Sequence, residues 1–293
     1  MATATSPQGR FYLSVAGCTD VGRVRKNNED AYVVADLTGG TLLDGSPHKR
    51  FDVGERGVLL AVSDGMGGAH AGEVASSLVV ETLTHAFAEA PADTPRDALM
   101  NDAIQKAHAR VREAARGTAK MGATLTAVFV HARQAYVAEV GDSRAYLVRG
   151  GEITQLTHDQ SLVQILLDSG AITPEEAEHS PLRSQILQAM GHQHDVKVAL
   201  GRLELRERDC LVLCSDGLTN HVSDQEIRDM VLSTRPELAV TKLVELANER
   251  GGKDNITVVV AGAGGDLEAA RPGEKFDETF EVLSTFEATI PRG

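Results

Sequence analysis

The chain has 293 residues, 42% of them hydrophobic, and a net charge of −13, which suits one large domain or two small ones with a sizeable core. The acidic balance and the few aromatic side chains (no Trp, four Tyr, seven Phe) argue against a general affinity for nucleic acid or acidic membranes. No apolar run reaches the roughly 20 residues of a membrane helix. Residues 1–10 lack the apolar core of a signal peptide, and the three cysteines show no zinc-site spacing, so we expect a reduced, cytoplasmic protein.

The first quarter of the chain predicts three strands and two acidic turns. Residues 1–10 are expected to be a flexible N-terminus, and apolar runs predict strands at 11–18, 31–37 and 57–63, with a loop at 38–55. Glu29-Asp30 precedes the second strand, and Asp64 ends the third. The glycines that follow Asp64 allow a sharp turn and a close approach of the backbone to a bound group. Taken alone, this turn is more typical of a structural Asp-Gly turn with a capping carboxylate, and the recurrence of the pattern later in the chain favours a functional site.

The middle of the chain predicts two helices and a further set of strands. Helices at 72–88 and 95–116 each have one apolar face, which suits packing on a sheet. Strands follow at 122–131, 134–140, 144–149 and 153–156, with Asp142 in the turn between the second and the third. Residues 157–191 are helical in pattern, with Thr173 and Glu176 as a capping box. We expect this segment to leave the sheet and form a flap beside the active site.

The last third of the chain repeats the strand-and-acid pattern. Strands are predicted at 196–205, 209–214 and 255–261, and helices at 223–233 and 237–250. Asp216 follows one of these strands, and Asp254 precedes another. Residues 264–293 show little periodicity and are expected to be a C-terminal tail that is mobile, a linker or a docking segment. The order of elements predicts an α+β fold, with a central antiparallel β-sandwich and helices on both outer faces.

Five acidic sites therefore lie beside apolar strands. Strand ends come together in a layered β core, where crowded carboxylates repel one another and lose hydration. Divalent cations would offset both costs. The candidates are all oxygen ligands, which favours Mg²⁺ or Mn²⁺ over Zn²⁺.

Seven short motifs stand in an order that resembles a known family. They are RKNNEDAY (25–32), SDGMGGAHAGE (63–73), GAT (122–124), VGDSRA (140–145), THDQS (157–161), SDGL (215–218) and KDNIT (253–257). Together they resemble the metal-dependent serine/threonine protein phosphatases of the PP2C or PPM family, in the compact bacterial form. The resemblance covers residues 11–263 and implies the α-β-β-α sandwich of that family.

The resemblance also implies a ligand set for two core Mn²⁺ or Mg²⁺ ions and a third, weaker ion. The implied ligands are Glu29, Asp30, Asp64, Gly65, Asp142, Asp216 and Asp254. Asp64 would bridge the two core ions, with the Gly65 carbonyl and the Glu29-Asp30 pair on one of them. Asp216 and Asp254 would hold the other core ion. Asp142 would hold the third ion, shared with Asp216.

The implied reaction is hydrolysis of phosphoserine and phosphothreonine in proteins, by direct attack of a hydroxide that bridges the metals. Arg25 would hold the substrate phosphate, and Asn255 would support the site. Many eukaryotic members have a histidine after the first Asp-Gly, whereas this chain has Met66, which leaves open whether His70 or a metal-bound water donates the proton. The expected partners are phosphorylated proteins and a Ser/Thr kinase that the enzyme counters, and the expected state is a monomer.

Two other functions fit the same pattern. The first is a catalytically silent phosphoprotein-binding module, although the complete set of Asp64, Asp216 and Asp254 favours activity. The second is a metal phosphoesterase for small molecules or nucleic acid, and the acidic charge argues against nucleic acid.

Overall fold

Two antiparallel sheets pack face to face, and helices cover both outer surfaces. The computed structural model describes residues 11–43, 48–68, 70–116, 121–178, 180–271 and 273–287. The flexible N-terminus expected at 1–10 lies outside the described residues. The layered α-β-β-α architecture predicted from the sequence is confirmed.

The first sheet has six strands in the order β10-β9-β12-β13-β1-β4. With strands numbered along the chain, they are β1 (Phe11–Asp20), β4 (Lys49–Asp52), β9 (Arg144–Arg149), β10 (Glu152–Gln155), β12 (Cys210–Cys214) and β13 (Ile256–Gly265). The second sheet runs β14-β11-β8-β7-β5-β2-β3, with β6 beside β5. Its strands are β2 (Asp30–Asp36), β3 (Thr41–Leu42), β5 (Val58–Met66), β6 (Gly122–Ala123), β7 (Leu125–His131), β8 (Gln134–Val140), β11 (Ala199–Glu204) and β14 (Phe280–Ser284).

The central strand β5 is buried on both of its faces. Val58, Leu60 and Val62 pack into the layer between the two sheets, whereas Leu59 and Ala61 pack under the helices of the outer layer. A strand that is covered on both faces has a continuous apolar sequence instead of alternating apolar and polar residues, and residues 57–62 have such a sequence. Its acidic end is consequently fixed in position by the core.

The helices divide between the two outer surfaces. Helices α1 (Ala71–Glu89) and α2 (Arg96–Ala114) cover the second sheet, and α6 (Asp224–Ser233) and α7 (Pro236–Glu249) cover the first. The predicted flap segment contains α3 (Leu162–Asp168) and α4 (Pro174–Glu178), and α5 (Asp216–Thr219) is one turn after β12. Both predicted capping boxes are confirmed: Ser223 bonds with Glu226, and Thr173 with Glu176.

The structure departs from the sequence prediction at the loop and at the tail. The loop expected at 38–55 contains the short strands β3 and β4, and β4 pairs with β1. Within the expected tail, β14 pairs with β11, and the buried Glu274 carboxylate bonds to Arg206. This part of the tail therefore contains regular structure that the sequence did not predict. Both strands depend on partners far away in sequence, which local periodicity does not reveal.

The cysteines are free thiols. Cys214 is buried under the helices of the first sheet, and Cys210 packs against the same cluster, so both act as small hydrophobic residues. Burial raises the pKa of each of these two thiols to about 12, so neither is a thiolate near neutral pH.

Candidate metal centre

The acidic strand ends of both sheets converge at one edge of the sandwich. Asp30 begins β2 and lies opposite Asp64 of β5 in the register of the second sheet. Asp142 follows β8, Asp216 begins α5 directly after β12, and Asp254 precedes β13. The negative charges of the other four aspartates all raise the pKa of Asp64, which shows that they lie near it. The structure thus brings together the five predicted aspartates.

Hydroxyl groups of the first sheet fix one carboxylate of the second. The Oδ2 atom of Asp30 accepts hydrogen bonds of 2.7 Å from the hydroxyls of Ser215 and Thr257. Ser215 also accepts a bond from the Thr257 amide at 3.0 Å. These two residues were not predicted, because they lie 185 and 227 positions from Asp30 and only the fold joins them. They tie the two sheets together at the acidic edge.

Burial raises the pKa values of these carboxyls. The pKa of Asp30 rises to about 7, mainly because the carboxyl is buried and also because Asp216 and Asp254 are near. The hydrogen bonds from Thr257 and Ser215 act in the opposite direction and lower this pKa. The pKa values of Asp64 and Asp142 rise well above their usual range, first through burial and then through neighbouring aspartates. The pKa of Asp216 rises for the same two reasons. Positive charge placed among these groups would therefore stabilise their ionised forms.

The donor set fits a hard divalent cation. The Oδ1 atoms of Asp30 and Asp216 are buried and have no hydrogen-bond partner among the described residues. A buried carboxylate oxygen without a partner is costly, and coordination of a cation would satisfy it. The cluster offers oxygen atoms only, as Mg²⁺ and Mn²⁺ prefer.

The carboxylates are not yet spaced as ligands. Across the described ranges, no three His, Cys, Asp or Glu side chains stand in a geometry that holds an ion. One reason is visible at Asp254, whose Oδ2 atom accepts a 2.6 Å bond from Arg25. Coordination by Asp254 Oδ2 would therefore compete with its bond to Arg25.

A tight turn brings Glu29 and Gly65 to the same edge. The Gly65 amide donates to the Glu29 carbonyl at 3.0 Å, and the Ser76 hydroxyl donates to that carbonyl at 2.6 Å. A Cβ atom at Gly65 would collide with the carbonyl oxygen of Gly72, so only glycine fits there. The Glu29 side chain lies against Gly72, and burial raises its pKa, whereas Arg25 lowers it.

Asn255 holds the segment that carries Arg25 and Glu29. Its Oδ1 atom accepts a 2.7 Å bond from the Glu29 amide. Its Nδ2 atom donates to the carbonyls of Val21 and Asn27 at 3.0 and 2.9 Å. The side chain is 4% exposed, so these bonds are shielded from water. These contacts agree with the supporting position expected for Asn255.

Arg25 and His70 occupy different positions relative to the aspartates. The Arg25 guanidinium is half exposed and bonds to Asp254 at the mouth of the cluster, and this hydrogen bond raises its pKa. His70 is exposed directly before α1, and its side chain makes no capping hydrogen bond in the described structure. Proton donation by His70 stays a prediction.

Asn220 was not predicted and contacts a candidate ligand. Its Nδ2 atom donates to Asp216 Oδ2 at 3.0 Å, and its Oδ1 atom accepts from Arg183 at 2.7 Å. Asn220 therefore connects the predicted flap segment, which contains Arg183, to the metal centre. Its place one helical turn after Asp216 was the available sequence signal.

Comparison with known proteins identifies the family. The chain matches the protein phosphatase 2C family over residues 46–254. It is 39% identical over 259 residues to the serine/threonine protein phosphatase PstP of Mycobacterium tuberculosis, covering 85% of this chain and 45% of that protein. It is 40% identical over 256 residues to the protein phosphatase PhpP of Streptococcus pneumoniae, covering 85% of this chain and 96% of that protein. The chain belongs to the protein phosphatase 2C family.

Solved structures agree with this assignment. The crystal structure of the M. tuberculosis phosphatase PstP/Ppp superposes with a TM-score of 0.73 at 37% identity, covering 88% of this chain and 99% of that one. The PstP catalytic domain in complex with two manganese ions superposes with a TM-score of 0.72 at 35% identity, covering 87% and 99%. This chain spans less than half the length of PstP itself.

Proposed function

We propose that the protein is a Mn²⁺- or Mg²⁺-dependent phosphatase that hydrolyses phosphoserine and phosphothreonine in proteins. The observation that carries the proposal is the convergence of five aspartates, two with buried, unpartnered oxygens among the described residues, beside Arg25. Family membership and the names of PstP and PhpP support the same activity.

The proposed ligands divide among three ions. Asp64 would bridge the two core ions, with Glu29, Asp30 and the Gly65 carbonyl on one side and Asp216 and Asp254 on the other. Asp142 would hold a third, weaker ion together with Asp216. When bound, a pair of such ions generates a nucleophile from water at neutral pH and offsets the charge of the reacting phosphate. The two manganese ions of the PstP catalytic domain support the core pair.

The protein's own groups would bind and orient the phosphate. Arg25 is half exposed at the mouth of the centre, so its guanidinium can exchange Asp254 for phosphate oxygens. A planar guanidinium that is always charged suits bidentate binding of a phosphate. Asn255 would keep Arg25 and Glu29 in place through its three bonds to their segment.

The wider biological setting is also part of the proposal. The substrates would be phosphorylated proteins, the opposing enzyme a Ser/Thr kinase, the location the cytoplasm and the state a monomer. In the part of the chain that the structure describes, no helix has the length and apolar character needed to cross a bilayer. The net charge of −13 disfavours nucleic acid as a substrate.

Phosphate release from a phosphothreonine peptide tests the proposal. The purified protein should release phosphate with Mn²⁺ and stop with excess EDTA. Asp254→Asn should lower turnover by more than about 100-fold, while the circular dichroism spectrum stays unchanged. This loss would exceed the 10–100-fold that is typical for residues that orient metal ligands without binding the metal themselves. Folded protein that releases no phosphate with either metal would favour the silent binding module. Faster hydrolysis of small phosphate esters than of every phosphopeptide would favour the small-molecule phosphoesterase.

A further inference from the structure

Cationic side chains are concentrated around Asp254, although the chain as a whole is acidic. Arg25 bonds directly to the Asp254 carboxylate, and Lys253 is its exposed sequence neighbour. Arg23 is exposed and packs against Gly252, and its amide donates to the Gly252 carbonyl at 2.7 Å. Arg23, Arg25 and Lys253 therefore place three exposed positive charges beside the acidic edge of a protein with a net charge of −13.

A small cavity adjoins Asp254 and the metal centre. It has a volume of about 200 Å³ and is lined in part by Arg183, Asn220, His221, Lys253, Asp216 and Asp254, which we call the basic pocket. Asp216 and Asp254 also belong to the metal centre, so the two sites share an edge. Small-molecule sites usually measure about 300–1,000 Å³, and the basic pocket therefore suits a single side chain better than a free ligand.

Hydrogen bonds hold the lining residues in place. Arg183 donates to Asn220 at 2.7 Å, and Asn220 donates to Asp216 at 3.0 Å. The Lys253 amide donates to His221 Nε2 at 3.5 Å, and Lys253 is an exposed residue of the pocket lining. Burial lowers the pKa of His221, and the charges of Lys253, Arg183 and Arg250 lower it further, so several cations act on this one ring.

The charges of the pocket favour an anion once the metal centre is loaded. Asp216 and Asp254 are proposed cation ligands, and bound ions would offset their negative charge. Arg183 and Lys253 then leave the pocket with a net positive potential, and the neutral His221 ring can contribute a hydrogen bond.

We infer that the basic pocket binds an anionic side chain of the phosphoprotein substrate, a carboxylate or a second phosphate, close in sequence to the residue being dephosphorylated. The inference rests on the proposed function, which places the first phosphate over the shared Asp216 and Asp254. An extended peptide advances about 3.3–3.6 Å per residue, so a pocket that adjoins the metal centre is reached within the first few flanking positions. The substrate class is therefore a phosphopeptide with a second negative charge.

Four matched sets of phosphothreonine peptides test this inference. Within a set, only one flanking residue changes, and it is glutamine, glutamate or a second phosphothreonine. Each set places this residue at a different one of the two positions before and the two positions after the phosphothreonine. We expect kcat/KM to be about two- to fivefold higher for the anionic peptides at one or more positions, the size of an exposed ion pair. The difference should lie in KM and should shrink with added salt.

Lys253→Gln should remove this preference and leave kcat/KM for the glutamine peptides unchanged. Lys242→Gln, which neutralises an exposed lysine of α7, is the matched control and should keep the preference. The dissociation constants of non-hydrolysable phosphonate peptides with the Mn²⁺-loaded protein give a second readout that does not depend on turnover, and they should show the same differences.

Equal kcat/KM and equal affinity for all peptides would overturn the inference, and so would a preference that survives in Lys253→Gln. A preference for glutamate peptides would identify carboxylates as ligands, whereas a preference confined to doubly phosphorylated peptides would identify the second phosphate. If no peptide is hydrolysed, the proposed function fails, and the phosphonate affinities still decide whether the pocket binds an anion.

Discussion

Replacement of Asn255 by alanine should disconnect the segment that carries Arg25 and Glu29 from the rest of the metal centre. The substitution removes one acceptor and two donor contacts, of 2.7, 3.0 and 2.9 Å. Each lost bond between shielded groups costs roughly 1 kcal/mol, so we expect the free energy of unfolding to fall by about 2–4 kcal/mol. At about 2–4 °C per kcal/mol in a domain of 150–250 residues, Tm should fall by roughly 5–15 °C.

The effect on catalysis should exceed the effect on global stability. Glu29 is a proposed ligand and Arg25 a proposed phosphate contact, and both depend on this segment. We therefore expect Asn255→Ala to weaken Mn²⁺ binding by about 10–100-fold, the usual range for residues that orient ligands, and to raise KM for a phosphopeptide.

Differential scanning calorimetry, Mn²⁺ titration and steady-state kinetics provide the three readouts. Asn101→Ala, which truncates an exposed asparagine of α2, is the matched control and should leave all three unchanged. If Asn255→Ala kept the Tm, the Mn²⁺ affinity and the KM of the original protein, the assignment of Asn255 as the residue that positions this segment would be refuted.

Three further predictions concern the turn, a helix start and the tail. Gly65→Ala should abolish Mn²⁺-dependent turnover and lower Tm, because its Cβ collides with Gly72; normal turnover would contradict the tight turn. The pKa of Glu226 is held at about 2 by Arg250, so this pair stabilises the fold above pH 4.5 and loses that effect as the pH falls to about 2. Glu226→Gln should therefore lower the urea midpoint at pH 7 but not near pH 2. Glu274→Gln should lower the free energy of unfolding by about 3 kcal/mol, with turnover retained, because the buried Arg206 and Arg149 each lose one of their two carboxylate partners.

The positions of the aspartates were predictable because each neighbouring strand can be recognised in the sequence as a run of apolar residues. Strand β5 carries Asp64 two residues before its end, after a run buried on both faces, and the buried run of β12 is followed by Ser215 and Asp216. Packed sheets bring strand ends together, so acids at those ends must approach one another. The register that sets Asp30 opposite Asp64 follows from the same burial, since a slip of one residue would exchange the two faces of the strand.

Contacts between distant segments could not be predicted in the same way. Polar residues such as Ser215 and Thr257 have no periodic signal, and their bonds to Asp30 exist only after the two sheets have packed. Strand β14 is short, and only Phe280 and Leu283 of its five residues are half-buried against the core, so neither its hydrophobicity nor its length distinguishes it from a tail. Pairing with β11 and the buried Glu274 carboxylate hold it in place.

The two Ser-Asp-Gly triplets show how one local sequence serves both sheets. In each triplet the serine side chain bonds across to another segment: Ser63 donates to the Thr124 carbonyl at 2.6 Å, and Ser215 donates to Asp30 at 2.7 Å. The aspartate that follows faces the shared acidic cluster. The third residue must be glycine, because a Cβ atom at Gly65 or Gly217 would collide with a backbone carbonyl of a neighbouring segment.

In both triplets, the serine before the aspartate and the glycine after it are held against neighbouring segments. The backbone on both sides of the aspartate is therefore fixed in position. This placement allows carboxyls with raised pKa values to remain crowded together, because the core of the sandwich supplies the stability that their repulsion removes. The glycines contribute to the metal centre by admitting the neighbouring segments that confine the acids, and not only by making space for a ligand.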